Sequence, residues 1–417
     1  MMNDALLKRY EAVVGSDVID QLKQLAYRLR DAKVLHVNST RYGGGVAEIL
    51  KSMVPLMEAL GLCVRWEVIS GNEEFFKVTK SFHNALQGFP VEFTERHIKI
   101  YEENNRREFE KLESLLTEAD FVFIHDPQPA FLIKFLPERR CPWIWRCHID
   151  LSRPYRPVWR YLRNIVLDYE ASIFSMPDFT QPLPHPQYII PPSIDPLTEK
   201  NIELPEEEIF GVYDRFGLDP HKPLVLQVSR FDRFKDPVGV IRAALMAMKF
   251  MPLQLVYAGG GAADDPEGEM IYHEVSEMAK DHPDIHILFL PPEAHRTVNA
   301  LQRAADVVLQ KSTREGFGLT VTEAMWKRRP VIGGDTGGIR LQVVNHHTGF
   351  LVHTPEGAAL RIRYLLFYHE KRMEMGLKAH QFVKENFLIT RHVRDYLSLM
   401  LAFVAGNGER IEVEAQG

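Results

Sequence analysis

The sequence predicts an α/β chain made of two doubly wound halves, each a parallel sheet flanked by helices. Three observations predict it. Short apolar runs rich in β-branched and aromatic residues alternate with segments of helical period. The alternation occurs twice. A proline-dense stretch separates the two series. Buried strands that alternate with helices make βαβ units, and such units pair into parallel sheets.

The first series is KVLHVN (33–38), CVRWEVI (63–69), DFVFIH (120–125) and WIWRCH (143–148). The second is LVLQVSR (224–230), LQLVYAGG (253–260), IHILFL (285–290), DVVLQ (306–310) and PVIGG (330–334). Between them, EFEKLESLLTEA (108–119) and VTEAMWKRR (321–329) place apolar residues at helical spacing. Residues 179–206 are crowded with prolines, which exclude regular helix and central strand. A linker near 192–205 is expected, dividing two Rossmann-like domains at 1–195 and 196–386. After Asn386 the pattern RHVRDYLSLMLAFVAG is helical, and a polar tail follows. Ligands of open α/β sheets bind beyond the carboxyl ends of the strands. Functional residues are therefore sought just after the strands named above.

The 417 residues suffice for two or three domains. Lys and Arg number 50 against 56 Asp and Glu, a net charge of -6 that argues against nucleic acid as the partner. The most apolar stretch, Ala243 to Ala263, is broken by Lys249 and Gln254, so no membrane span is expected. The start, MMNDALLKRYEAVVG, lacks the apolar core and cleavage site of a secretory leader. Cys63, Cys141 and Cys147 match neither a disulfide framework nor a zinc site, so a reducing, cytoplasmic setting is expected.

Three segments carry chemistry. Gly43, Gly44 and Gly45 follow the first strand and precede a helix, where bare backbone can approach a ligand. By itself this is equally a tight turn, and Gly259–Gly261 reads mainly as one. Arg230, Arg233 and Lys235 follow the first strand of the second half. Several cations on one strand-to-helix loop suit a diphosphate, although a solvated basic loop reads the same way. The most specific segment is Lys311 to Ala324. There Gly316 and Gly318 open a loop and a helix begins near Leu319, whose first amides form an anion site. Glu315 and Glu323 flank it, and a carboxylate can accept hydrogen bonds from paired sugar hydroxyls. Two glutamates could also be a glycosidase pair. A hydrolase, however, has no need of a cationic loop and an anion site together.

Glu315, seven residues and Glu323, with Gly316, Phe317 and Gly318 inside, resemble the signature of family-four retaining glycosyltransferases. Arg230 with Lys235 resembles that family's diphosphate pair, and the Gly43–Gly45 loop its N-terminal glycine-rich loop. The resemblance spans both halves and implies a GT-B fold, two Rossmann-like domains whose parallel sheets face a central cleft. It implies that the last helix, within 387–417, packs back on the first, acceptor-binding domain. The strings FFKVTK (75–80), FHNALQG (82–88), HDPQP (125–129), WRCHID (145–150) and PPSIDP (191–196) narrow the resemblance to the trehalose synthase and trehalose phosphorylase subgroup.

The resemblance assigns roles. Arg230 and Lys235 would hold the donor diphosphate with amides of Leu319 and Thr320. Glu323 would take the ribose. Glu315, Gly316, Phe317 and Gly318 would take the donor sugar, and Gly44 and Gly45 would border the donor. His148 would reach the sugar near its anomeric carbon. Asp150 and Arg153 are candidates for the acceptor, as are Lys80, His83 and Asn84 on a helix. The implied activity is transfer of glucose from a nucleotide-glucose to free glucose, giving trehalose reversibly. Trehalose phosphorolysis, a sucrose-synthase-like transfer and a non-catalytic nucleotide-sugar sensor are the alternatives. No tightly bound cofactor is expected. No DxD-like metal pair stands out, so the motifs do not require Mg2+. A homodimer is the default expectation for a soluble enzyme.

Overall fold

The structure is a computed structural model and describes residues 2–42, 44–260 and 266–405, without the side chains of residues 2, 3, 266 and 267. Gly43 and Gly261, both named above, lie outside the described residues. Twelve strands among the described residues form two six-stranded sheets. The first holds β1 (Lys33–Asn38), β2 (Cys63–Val68), β3 (Phe121–His125), β4 (Trp143–Arg146), β5 (Ala171–Phe174) and β6 (Gln187–Ile189). The second holds β7 (Leu224–Val228), β8 (Gln254–Gly259), β9 (Ile285–Phe289), β10 (Val307–Gln310), β11 (Val331–Gly334) and β12 (Gly349–Val352).

Every strand pair is parallel. The order is β2-β1-β3-β4-β5-β6 in one sheet and β12-β11-β10-β7-β8-β9 in the other. Each order reverses once, between β1 and β3 and between β7 and β10. At such a switch point the loops leaving the two strands diverge and open a crevice for ligand.

The described residues divide into two compact units. One runs from the start of the chain to Pro192 and resumes at Ile389; the other is Ser193–Leu388. The helix Ile389–Ala405 belongs to the first unit and packs against helices Ser16–Tyr27 and Gly45–Ala59. Arg391 and His392 on it bond the carbonyl of Pro191, at 2.8 and 3.1 Å.

Central strands are buried on both faces, as expected where helices cover a parallel sheet. Trp143, Trp145 and Phe123 are wholly buried in the first unit. In the second, Val225, Leu255 and Leu309 meet Ile241, Ala244 and Ile362 from the covering helices. Each buried Val, Leu, Ile or Phe side chain contributes roughly 1.5–3 kcal/mol by leaving water. No helix among the described residues is long and apolar enough to cross a membrane.

Candidate active site

In the second unit the loops leaving β7 and β10 flank the switch point, and buried polar groups stitch them together. Gln227, the fourth residue of β7, is fully buried; its Nε2 donates to the Lys235 carbonyl at 2.9 Å, and its Oε1 accepts from the Lys311 amide at 3.1 Å. The Thr313 amide donates to the Phe234 carbonyl at 2.8 Å. Asp236 sits in the left-handed region (φ 48°), caps the helix Pro237–Met248 through the Gly239 amide at 3.1 Å and pairs with Lys311.

This frame delivers Lys235 Nζ to 2.6 Å from Glu315 Oε2, with both side chains largely buried. Ser312 Oγ donates to the same oxygen at 3.1 Å. Charge-assisted bonds of this kind hold about 1.5–3 kcal/mol each. Arg230 is different: it is 64% exposed, and its Nη2 lies 3.1 Å from Asp232 Oδ2.

Glycines shape the β10 loop and the loop after β11 that packs on it. Gly318 (φ 83°) starts the helix Leu319–Trp326 and has no side chain to cap it, which leaves the first amides of that helix to the loop. Gly337 (φ 46°) lies so close that a Cβ would stand 1.7 Å from the Glu315 carbonyl oxygen. Phe317, expected to lend its amide to a sugar, buries its ring against Phe387, and Gln342 Nε2 donates to its carbonyl at 2.6 Å. Thr320 Oγ1 donates to Gln310 Oε1 at 3.0 Å. Glu323 is buried, with Oε1 3.9 Å from Lys200 Nζ. One turn on, Lys327 Nζ donates to Asn201 Oδ1 and to the Glu323 carbonyl, at 3.1 and 3.2 Å; burial depresses its pKa. The two glutamates thus face different cations.

In the first unit the β1–β3 switch point holds three histidines. His36 Nδ1 lies 3.0 Å from His125 Nε2, and His125 Nδ1 lies 3.0 Å from His148 Nε2. His36 is on β1, His125 ends β3, and His148 follows β4. Burial drives all three below the usual histidine range, His36 to about 3. Neighbouring Arg146 and His392 oppose a proton on His148 further. Asp126, with φ 64°, accepts the His148 amide at 2.7 Å; burial raises its carboxyl to about 7.

Of the remaining candidates, the Asp150–Arg153 loop adjoins the end of the helix carrying Lys80, His83 and Asn84, where the Tyr155 amide donates to the Ala85 carbonyl at 2.8 Å. Gly44 (φ 80°) precedes the helix Gly45–Ala59. Asp150 Oδ1 accepts the Ser152 amide at 2.9 Å, and Arg153 is exposed. Lys80, His83 and Asn84 lie on the helix Glu73–Leu86, capped by Asn72; Lys80 and Asn84 are exposed and His83 is half-buried. Sequence reasoning passed over His36 and Gln227 and, although the segments holding them were singled out, gave no individual role to His125, Asp126, Lys311 and Asp236. The strand-end rule applied to HDPQP would have found His125 and Asp126.

Two parallel-sheet units with polar loops gathered at their switch points form the GT-B frame of a glycosyltransferase. Residues 214–382 match the group 1 glycosyl transferases, and residues 36–181 match the trehalose synthase N-terminal domain. Trehalose synthase of Thermococcus litoralis is 47% identical over 95% of this chain and 97% of its own. Trehalose phosphorylase of Pleurotus pulmonarius is 29% identical over 83% of this chain and 54% of its own. An alpha,alpha-trehalose-phosphate synthase (UDP-forming) from Burkholderia vietnamiensis superposes with a TM-score of 0.72 at 14% identity, covering 90% of this chain and 99% of its own. The chain belongs to the trehalose synthase family of group 1 glycosyltransferases.

Proposed function

We propose that the chain joins the glucose of a nucleotide-glucose to free glucose with retention of configuration, giving α,α-trehalose and a nucleoside diphosphate. The observation that carries the reading is the meeting of Lys235 and Glu315 at the β7–β10 switch point beside a glycine-started helix. A cation and helix amides suit a departing diphosphate, and a carboxylate suits sugar hydroxyls.

The roles follow. Arg230, Lys235 and the amides of Leu319 and Thr320 take the diphosphate and stabilise the charge that grows on it as the sugar–phosphate bond breaks. Such preorganised groups lower the barrier by several kcal/mol when water is excluded. Glu323 takes the ribose. Glu315 with Gly316, Phe317 and Gly318 takes the glucosyl hydroxyls, and Gly44 and Gly45 border the donor. His148 contacts the glucosyl group. Asp150, Arg153, Lys80, His83 and Asn84 serve the acceptor. The leaving oxygen accepts the proton of the incoming hydroxyl, so attack comes from the face that the diphosphate leaves. The reaction runs in both directions, and the enzyme works in the cytoplasm without a tightly bound cofactor.

Incubation of the purified protein with nucleotide-glucose and labelled glucose tests the reading. Trehalose and a nucleoside diphosphate in equal amounts are expected. Consumption of trehalose with inorganic phosphate, and none with nucleoside diphosphate, would replace it by phosphorolysis.

A further inference from the structure

The histidines at the β1–β3 switch point form a continuous chain, His36 Nδ1 to His125 Nε2 and His125 Nδ1 to His148 Nε2, each link 3.0 Å. A neutral imidazole has one N–H and one lone pair. Two successive N–H···N bonds therefore run in one direction throughout. Either His36 Nδ1–H starts the chain and His148 Nε2 accepts, or His148 Nε2–H starts it and His36 keeps its proton on Nε2. The inner end decides between them. His36 Nε2 is buried and has no hydrogen-bond partner among the described residues. An orphaned buried N–H is rarer than an orphaned acceptor. The favoured direction leaves a lone pair on His36 Nε2 and a proton on His148 Nδ1.

The surroundings hold this arrangement. His36 stacks on Phe123 at 4.9 Å and 13° and faces Tyr396 at 6.1 Å. The His148 amide is fixed to Asp126 Oδ1 at 2.7 Å, and its ring lies 16° from that of His125. Arg146, itself wholly buried, and His392 lie near His148 and oppose any added proton.

We propose that His125 and His36 are positioning residues that fix His148 as the tautomer protonated on Nδ1, so that this ring meets a sugar hydroxyl as a hydrogen-bond donor. The assignment rests on the reading of His148 as a contact of the glucosyl group. The tautomer is set by a partner that touches no substrate, and changing that partner alters the chemical step and leaves nucleotide binding intact.

The first test needs no variant. The full chain, labelled with 15N in its histidines, is examined by NMR at pH 7, and the His148 signals are assigned by their loss in His148→Gln. Protonated Nδ1 with unprotonated Nε2 is expected; a proton on Nε2, or an imidazolium, overturns the proposal. The second compares His125→Asn, whose amide nitrogen takes the place of Nδ1 and still donates, with His125→Leu, which cannot. Loss of kcat by about ten- to a hundredfold is expected in the leucine variant, with unchanged affinity for nucleoside diphosphate and recovery in the asparagine variant. Equal loss in two folded variants overturns it. If either variant fails to fold, the unmodified protein's spectrum decides. Full activity in His148→Gln would remove the reading of His148 as a sugar contact and leave the tautomer assignment standing.

Discussion

Lys235 and Glu315, on loops that leave different strands, hold each other at 2.6 Å, and Ser312 closes on the same carboxylate oxygen. The ion pair ties the β7 loop to the β10 loop at the switch point. A diphosphate that competes for Lys235 would release Glu315 to the hydroxyls of the sugar attached to it. On the proposed assignment, one contact would couple recognition of the leaving group to recognition of the group transferred.

Arg230→Ala and Lys235→Ala are each expected to lower turnover by about tenfold to a thousandfold, the usual result of removing a group that stabilises departing charge. Arg230 is mostly exposed, so its loss leaves the melting temperature in place. Loss of Lys235 also strands a largely buried carboxylate and lowers that temperature. Normal turnover in both variants would contradict the assignment.

Glu323→Gln keeps the shape of the buried side chain and removes its charge. Nucleoside diphosphate is expected to bind about tenfold more weakly or worse, since a hydrogen bond to a charged acceptor is worth roughly 1.5–3 kcal/mol. Calorimetry reads this directly. Unchanged affinity would remove the ribose assignment of Glu323.

Gly337→Ala forces a methyl group against the Glu315 carbonyl in a backbone conformation that suits glycine. The β10 loop must move, and Glu315 with it. Loss of activity together with a lower melting temperature is expected. A fully active, equally stable variant would show that the loop tolerates displacement.

Asp126 makes stability depend on pH. Its carboxyl titrates near 7 in the fold against 3.8 ordinarily, because burial penalises the charge. Below about pH 4 the carboxyl is protonated in both states and costs nothing. Between about pH 4 and 7 the unfolded chain ionises first, so stability falls as pH rises, by on the order of 4 kcal/mol, and then levels. Asp126→Asn keeps an oxygen for the His148 amide and is expected to flatten that slope in denaturant titrations across the range. An unchanged slope would place the titration elsewhere.

Much of the fold was legible because buried parallel strands are continuous apolar runs, and nine of the twelve carry that mark. The runs at β5, β6 and β12 were not picked out: β6 is three residues long and lies in the proline-dense stretch, and β5 and β12 are four-residue strands. The Lys235 and Glu315 loops stood out because glycines and charges cluster after strands. Gln227 and His36 were hidden, since a polar residue inside an apolar run announces burial but not its partner. His36 and His125 are 89 residues apart, and only the strand order brings them together.

The first unit is assembled from both ends of the chain, and this sets an order on its synthesis. The helices Ser16–Tyr27 and Gly45–Ala59 leave the ribosome early, but the helix that covers them, Ile389–Ala405, is translated after the whole of the other unit. Those two helices wait that long for part of their cover. Ser193–Leu388 is one uninterrupted segment and can close while translation continues. The unit begun first is finished last, and in that interval its uncovered apolar faces are the part of the nascent chain most prone to aggregate.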